Sequence, residues 1–186
     1  MKSSPRPMSA MTGLLGGVRQ VPSPNCDNRP DGERVRLLVI HAISLPAGQF
    51  GGDDVERLFT NSIVPSAHSC YQDIKDLRVS AHFFIRRNGD VIQFVPVTKR
   101  AWHAGVSSWR GKYRCNDFSL GIEVEGCDDK PFESIQYIRL ARLIRLLKKQ
   151  FAVEEIVGHA DIAPGRKTDP GPCFDWPRLH HLLRRR

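Results

Sequence analysis

The segment RLLVIH at residues 36–41 decides the fold, because four consecutive apolar residues stand between an arginine and a histidine. An uninterrupted apolar run of this length is typical of a central strand that is buried on both faces. Residues 81–87 and 91–95 predict two further strands, and the dipeptide Asn88-Gly89 between them predicts a hairpin turn. Residues 119–124 predict another strand. RLLVIH is therefore expected in the middle of a sheet.

Helical patterns alternate with strands in the second half of the chain. Asp53 or Asp54 can cap a short early helix. Residues 133–151 have apolar positions near the helical period and predict the longest helix. A short strand at 155–157 follows, and Asp175 is suited to cap a last helix. This order predicts an α/β fold, a single domain with a central mixed β-sheet flanked by α-helices.

Length and composition are those of one globular domain. The chain has 186 residues, of which 40% are hydrophobic and 26% are charged. Residues 1 to about 30 contain five prolines and show little hydrophobic periodicity, so we expect the first 20 to be disordered and the domain to span 21–186. No stretch approaches the roughly 20 apolar residues of a membrane helix. We therefore expect no membrane partner.

The formal net charge of +8 raises the question of a nucleic-acid partner. Many of the cations lie in two places, along the helix predicted at 133–151 and at 184–186. We interpret them as a solvated helix face and a basic tail, since no zinc-finger spacing or aromatic-interleaved basic stripe accompanies them. We predict no nucleic-acid binding, and note that a basic surface suits substrates with several carboxylates.

The five cysteines indicate the compartment. Their number is odd and no two form a Cys-x-x-Cys pair, so neither a disulfide framework nor a cysteine zinc site is indicated. The apolar patch at residues 11–18 is too short and too rich in glycine for a secretory signal. A cytoplasmic protein is the simplest expectation.

Three candidate metal ligands stand where structure changes. His41 ends the central strand, His159 follows a strand end, and Asp169 lies in the loop GRKTDPGP at 165–172. A histidine at a strand end is often only a satisfied polar residue. The two prolines and two glycines of the loop, however, make it rigid and irregular, as loops that hold catalytic groups are. Two histidines and a carboxylate would leave a fourth tetrahedral position for water, the pattern of catalytic zinc.

Five segments follow one another in an informative order: LVIH at 38–41, RVSAH at 78–82, RAWHAGVS at 100–107, NDFSLGIEVEG at 116–126 and GHADIAPGRKTDPGP at 158–172. Together they resemble the cytoplasmic 1,6-anhydro-N-acetylmuramyl-L-alanine amidases of Gram-negative bacteria, over about residues 21–179. These enzymes belong to the zinc-dependent N-acetylmuramoyl-L-alanine amidase family, with phage amidase lysozymes and peptidoglycan recognition proteins. The resemblance implies hydrolysis of the bond between (1,6-anhydro-)N-acetylmuramic acid and L-alanine in peptidoglycan recycling, with an indirect link to β-lactamase regulation.

The same resemblance implies a role for individual residues. His41, His159 and Asp169 would hold Zn²⁺, Glu123 would activate the attacking water, and Lys167 would stabilise the transition state. The chemistry agrees, because zinc lowers the pKa of a bound water and a nearby carboxylate can accept its proton.

Without the resemblance, the residues alone leave two of these roles undecided, that of the base and that of Lys167. Glu123 and Glu125 alternate with apolar neighbours and point to the same side of their strand, so alternation cannot choose between them. Lys167 could be an ordinary solvated lysine. Only the resemblance favours Glu123 as the base and gives Lys167 a catalytic role.

Substrate contacts are also implied by resemblance. The stem peptide carries the carboxylates of D-glutamate and diaminopimelate, and Arg78 and Arg114 match arginines that hold it. Trp102 resembles a residue that lines the site, although it could equally be a core residue. His82 and His103 could be spare ligands or could support the metal ligands through hydrogen bonds, and neither is expected to bind zinc itself. The chain departs from the pattern at Ala42, where asparagine is usual.

Other functions remain to be distinguished from this one. A peptidoglycan-binding module could use the same fold without zinc or catalysis, and a periplasmic amidase could act on the intact wall. Competent residues at all three ligand positions and at Glu123 and Lys167 argue against the first alternative. The lack of a signal sequence argues against the second.

Overall fold

The computed structural model of the chain describes residues 6–8 and 12–185. The strands are β1 (Arg6–Met8), β2 (Leu15–Gly16), β3 (Arg19–Gln20), β4 (Cys26–Asn28), β5 (Leu37–Ile43), β6 (Phe83–Ile85), β7 (Val91–Gln93), β8 (Lys99–Ala101), β9 (Ser108–Trp109), β10 (Lys112–Tyr113), β11 (Ser119–Glu125) and β12 (Glu155–Gly158). The helices are α1 (Asp54–Phe59), α2 (Tyr71–Ile74), α3 (Ser134–Gln150), α4 (His159–Ile162) and α5 (Trp176–Arg184), with a 3₁₀ turn at Cys115–Asp117.

Six strands form the main sheet, in the order β12-β5-β11-β6-β7-β3. β5 lies between β12 and β11 and is parallel to both, and β11 is also parallel to β6. β6 and β7 form the antiparallel hairpin predicted around Asn88-Gly89. The sheet is therefore mixed, and the predicted α/β class and the central position of RLLVIH are confirmed.

The two faces of the sheet carry different partners. Leu38 and Ile40 pack in the cluster that α3 and α5 cover. Leu37 and Val39 point to the opposite face, where they pack with Ile162 of α4. Since side chains alternate along a strand, His41 also points away from α3. The functional residues of β5 therefore lie on the face that α3 and α5 do not cover.

The ends of the two largest helices follow local rules. At the start of α3, the side-chain oxygen Oε1 of Gln136 accepts a hydrogen bond from the backbone N–H of Glu133, at 2.9 Å. At the start of α5, the carboxylate of Asp175 accepts from the N–H of Arg178, at 2.9 Å. Both helices begin and end close to the predicted bounds, because these caps and the apolar periodicity are local features.

The N-terminal segment is described in part. Of the region expected to be disordered, residues 1–5 and 9–11 lie outside the described residues. Within residues 12–20, Leu15 is buried, and β3 pairs with β7 at the sheet edge. The side chain of Gln93 accepts from Leu15 N–H at 2.8 Å and donates to the Gly13 carbonyl at 2.9 Å. These contacts are long-range, so periodicity within the segment could not reveal them.

Disulfide bonds and membrane-spanning helices are two features that the sequence does not predict. All five cysteines are described, and each is a free thiol. Among the described helices, none combines the length and the apolar character required to cross a bilayer.

Candidate active site

Three side chains from distant segments meet at the carboxyl ends of β5 and β12. His41 Nδ1 lies 3.0 Å from His159 Nδ1, and Asp169 Oδ2 lies 3.1 Å from the first and 3.2 Å from the second. Both histidines are buried, and the Asp169 side chain is 18% exposed. The structure thus brings together the three residues that the sequence predicted as a set.

The loop that carries Asp169 is held against the end of β12. The carbonyl of Asp169 accepts a hydrogen bond from Ala160 N–H at 2.9 Å. Gly158 allows the close approach, because a Cβ there would lie only 2.8 Å from Cδ of Pro170. Glycine at the strand end is therefore required for the Asp169 loop to reach His159.

The donor set fits zinc. Ligands at about 2.0–2.1 Å from a tetrahedral ion lie roughly 3.3–3.4 Å apart, close to the observed separations of 3.0–3.2 Å. The other ring nitrogen of His159, Nε2, lies 3.1 Å from the Ala104 carbonyl, which can only accept. The neutral His159 ring therefore carries its proton on Nε2 and turns the Nδ1 lone pair toward Asp169. Two acceptors facing each other at 3.2 Å are suited to a cation between them.

Glu123 lies beside the metal-ligand set. It is 8% exposed, and its Oε2 is buried without a hydrogen-bond partner among the described residues. Burial raises the pKa of Glu123 well above its ordinary value; the negative charge of Asp169 adds to this, while Lys167 opposes it. A carboxyl group whose pKa is raised by burial holds a proton more readily than an ordinary glutamate, as is common for acids and bases at functional sites.

Glu125 differs from Glu123 despite pointing to the same side of β11. Its Oε1 accepts from Gly51 N–H at 2.6 Å, and its Oε2 accepts from Arg87 N–H at 2.7 Å. Both carboxylate oxygens therefore serve to hold the loop backbone at Gly51 and Arg87 in place. The two carboxyl groups therefore differ in their contacts: both oxygens of Glu125 accept backbone hydrogen bonds, whereas Oε2 of Glu123 has no hydrogen-bond partner among the described residues.

A cavity of about 200 Å³ opens over this group. Its polar wall contains the three metal-ligand candidates, Glu123, Lys167 and His103. The remaining wall is largely apolar and is formed chiefly by Ala42, Ile43, Leu58, Phe59, Leu77 and Val79. A cavity with one apolar wall and a few convergent polar groups is typical of a small-molecule site.

The predicted substrate-binding residues lie outside this wall. Of the described residues that line the cavity, none is Arg78, Arg114 or Trp102. Arg78 stands between two lining residues, Leu77 and Val79, and its side chain is exposed. Trp102 is paired through its backbone with Ser80, which does line the cavity. Arg114 is 70% exposed and forms an ion pair with Asp117 at 3.2 Å. Trp102 and Arg114 both act on the carboxylate of Asp27, Trp102 through a side-chain hydrogen bond and Arg114 through its charge.

Of the groups that contact the metal-ligand histidines, sequence reasoning offered His103 as a possible supporting residue and missed the Ala104 carbonyl. His103 Nδ1 lies 2.9 Å from His41 Nε2, and the Ala104 carbonyl lies 3.1 Å from His159 Nε2. The apolar lining from α1 was also missed. The only sequence signal was the position of His103 in a glycine-bounded loop, which does not identify its partner.

Comparison with known proteins agrees with the geometry. Residues 31–172 match the family Amidase_2, described as N-acetylmuramoyl-L-alanine amidase. The chain is 53% identical over 173 residues to 1,6-anhydro-N-acetylmuramyl-L-alanine amidase AmpD of Salmonella typhimurium (strain SL1344). The aligned region covers 92% of this chain and 92% of that protein.

Solved structures are similar as well. A crystal structure of a selenomethionine AmpD derivative superimposes with a TM-score of 0.92 at 50% identity, covering 96% of this chain and 99% of that one. The amidase AmiD from E. coli, solved with anhydro-N-acetylmuramic acid-L-Ala-D-γ-Glu-L-Lys, has a TM-score of 0.59 at 30% identity, covering 83% of this chain and 60% of that one.

Proposed function

The chain belongs to the N-acetylmuramoyl-L-alanine amidase family, and we propose that it hydrolyses the amide bond between 1,6-anhydro-N-acetylmuramic acid and L-alanine in peptidoglycan fragments during cell-wall recycling. The observation that carries the proposal is the unpaired Oε2 of Glu123 beside the His41, His159 and Asp169 set. A carboxyl group and a metal-ligand set in one cavity are the elements that metal-assisted hydrolysis of an amide requires.

Zinc is the proposed cofactor, held by His41 Nδ1, His159 Nδ1 and Asp169 Oδ2. When bound, zinc supplies Lewis acidity toward the scissile carbonyl and lowers the pKa of a water. The protein contributes a fixed triangle of donors whose two imidazoles are buried. Buried ligands need little rearrangement on metal binding, which supports a resident ion.

Glu123 is the proposed general base and acid. Its Oε2 accepts a proton from the attacking water and afterwards delivers that proton to the nitrogen of the departing L-alanine. The raised pKa of this carboxyl group suits the second step, because it favours the protonated form that donates the proton. Positioned proton transfer of this kind typically contributes about 10²–10⁴-fold to the rate.

Lys167 is the proposed electrostatic stabiliser. It lines the cavity two residues before Asp169, and its positive charge acts on the carboxyl group of Glu123 and the ring of His41. A cation in this position can stabilise the negative charge that develops on the carbonyl oxygen during attack. Removing one such interaction typically costs about 2.7–4 kcal/mol of transition-state stabilisation.

The stem peptide is proposed to run from the cavity toward exposed cations. Arg78 adjoins the cavity wall, and the side chain of Arg114 is exposed. Both guanidinium groups can bind carboxylates of the peptide in a bidentate manner. Trp102, held against the cavity wall through Ser80, is proposed to contact the substrate.

We place this activity in the cytoplasm, where the five free thiols would remain reduced. Loss of an enzyme that removes anhydromuramyl-peptides would let these fragments accumulate, and this is the proposed route to an indirect effect on β-lactamase expression. Neither a nucleic acid nor a membrane is part of the proposed function.

The deciding experiment offers the purified protein two substrates, anhydromuramyl-tripeptide and intact cell wall, and follows the release of free peptide. We expect rapid release from the fragment. Binding without release would indicate a non-catalytic peptidoglycan-binding module. Faster release from the intact wall would indicate a wall-acting amidase.

A further inference from the structure

The two-residue segment His103–Ala104 contacts both metal-ligand histidines on the side away from Asp169. His103 Nδ1 lies 2.9 Å from His41 Nε2, and the Ala104 carbonyl lies 3.1 Å from His159 Nε2. The proposed reaction assigns neither residue a role. Their contacts determine where each metal-ligand ring carries its proton.

The direction of the hydrogen bonds follows from a backbone carbonyl. Ser119 Oγ lies 2.6 Å from the carbonyl oxygen of Cys115, and a carbonyl can only accept. The single hydroxyl hydrogen of Ser119 is therefore committed to that bond. The same Oγ lies 3.2 Å from His103 Nε2, and it can meet this atom only as an acceptor. His103 consequently carries a proton on Nε2.

The next bond in the series sets the tautomer of His41. His103 is buried, and its ring nitrogens face Ser119 and His41, so no carboxylate offsets a positive charge on it. A buried cation without a counter-charge is costly, and the ring is therefore neutral. Its Nδ1 then accepts from Nε2 of His41, which leaves the Nδ1 lone pair of His41 facing His159 and Asp169.

We propose that His103 and Ser119 are positioning residues that hold His41 in the tautomer whose Nδ1 binds zinc, and that the Ala104 carbonyl does the same for His159. The hydrogen bonds run from His41 to His103, then to Ser119, and end at the Cys115 carbonyl. Such partners of metal ligands fix the ring orientation and raise the basicity of the ligand.

Packing holds this segment in place. Asn116 Oδ1 accepts hydrogen bonds from the backbone N–H groups of both His103 and Ala104, at 3.1 and 2.8 Å. The imidazole of His103 rests on Gly121, where an added Cβ would lie 2.4 Å from the ring. One asparagine and one glycine therefore fix the partners of both metal-ligand histidines.

The test rests on the proposed zinc site and measures zinc affinity by competition with a chelator. His103→Leu leaves His41 Nε2–H unpaired and should weaken zinc binding about 10–100-fold. His103→Asn, which offers an acceptor at the Nδ1 position, should retain most of the affinity. Ser119→Ala removes only the end of the series and should weaken binding by a smaller factor, about 3–10-fold.

A second measurement reads the tautomer directly. Long-range ¹H–¹⁵N NMR of the metal-free wild type should show His41 protonated at Nε2, and Ser119→Ala should raise the population of the other tautomer. His68→Asn is the control, because the contacts of His68 are to Cys70 and Tyr71, away from the series of hydrogen bonds. This control should leave zinc affinity unchanged even if it lowers stability.

The outcomes separate the two proposals. A wild type that binds no zinc would refute the zinc site itself. A wild type that binds zinc, with folded His103→Leu and Ser119→Ala variants of equal affinity, would refute only the positioning role. A His41 ring protonated at Nδ1 in the metal-free wild type would also refute it.

Discussion

Glu123 is the register partner of His41 across the parallel pair of β11 and β5. The pairing extends over seven residue pairs, from Ser119 with Leu37 to Glu125 with Ile43. The proposed base and one proposed zinc ligand are therefore fixed relative to each other by the centre of the sheet. Asp169 and Lys167, by contrast, reach the site on a loop, so their positions depend on how that loop is anchored.

The first prediction uses the two carboxylates of β11 as a matched pair. Glu123→Gln should slow turnover about 100-fold or more without loss of stability, because it removes a proton carrier whose Oε2 makes no hydrogen bond and whose raised pKa disfavours the folded state at neutral pH. Glu125→Gln should retain turnover but lose about 1–3 kcal/mol of unfolding free energy, since its amide would face the N–H of Gly51 or Arg87. Steady-state kinetics and urea unfolding of both variants provide the measurement.

The reverse pattern would contradict the assignment of the base. A Glu125→Gln variant that is stable but inactive, beside an active Glu123→Gln variant, would transfer the catalytic role to Glu125.

The second prediction concerns the metal. Purified protein should contain about one zinc per chain, and removal of zinc by a chelator should abolish hydrolysis, because three candidate ligand atoms converge within 4.8 Å of one another. Adding zinc should restore activity. Metal analysis and peptide release are measured on the same samples, and full activity in verified metal-free protein would disprove the mechanism.

The third prediction concerns the exposed arginines. Arg78→Ala and Arg114→Ala should each weaken binding of a full-length stem peptide by about 1.5–3 kcal/mol, the usual contribution of a charged hydrogen bond. The loss should shrink for substrates whose stems lack the distal carboxylates. Equal losses of affinity on full and truncated substrates would mean that these arginines do not contact the peptide.

The fourth prediction concerns pH and the buried His82. Burial lowers the pKa of His82 well below its ordinary value of 6.5, and the charge of Arg29 lowers it further. Below pH 6.5 the unfolded chain therefore binds a proton that the folded protein does not, and stability falls as the pH falls. The slope is about 1.4 kcal/mol per pH unit for each such histidine.

Urea unfolding of metal-free protein between pH 7.5 and 5 measures this slope. The His82→Asn variant should have a flatter dependence, whereas replacing the exposed His180 should leave it unchanged. An identical pH dependence in the His82→Asn variant would contradict the prediction.

The fifth prediction concerns the departure at Ala42, which lines the cavity next to His41. An asparagine there could form one hydrogen bond to the muramyl-peptide that alanine cannot form. Ala42→Asn should therefore strengthen binding by about 0.5–1.5 kcal/mol and lower KM at constant kcat. Ala42 also packs against the core beneath α3, so a raised KM would mean that the larger side chain does not fit.

Predictions from local sequence features were the most accurate. The helix predicted at 133–151 is observed as Ser134–Gln150, and the Asn88-Gly89 turn joins β6 to β7. Both depend on periodicity, capping or turn chemistry within a few residues. The N-terminal segment shows the limit of this reasoning, since Leu15 contacts Gln93, 78 residues away.

The sequence by itself determined the α/β class, the family and the three candidate metal ligands. Apolar runs, the order of motifs and the composition of a rigid loop are properties of the linear sequence and need no tertiary contact to be recognised. Only the tertiary structure separated Glu123 from Glu125 and gave His103 a partner in His41. Those distinctions depend on which backbone groups approach each side chain from distant segments. A carboxylate or an imidazole acquires its proton state from these neighbours, and spacing along the chain does not specify them.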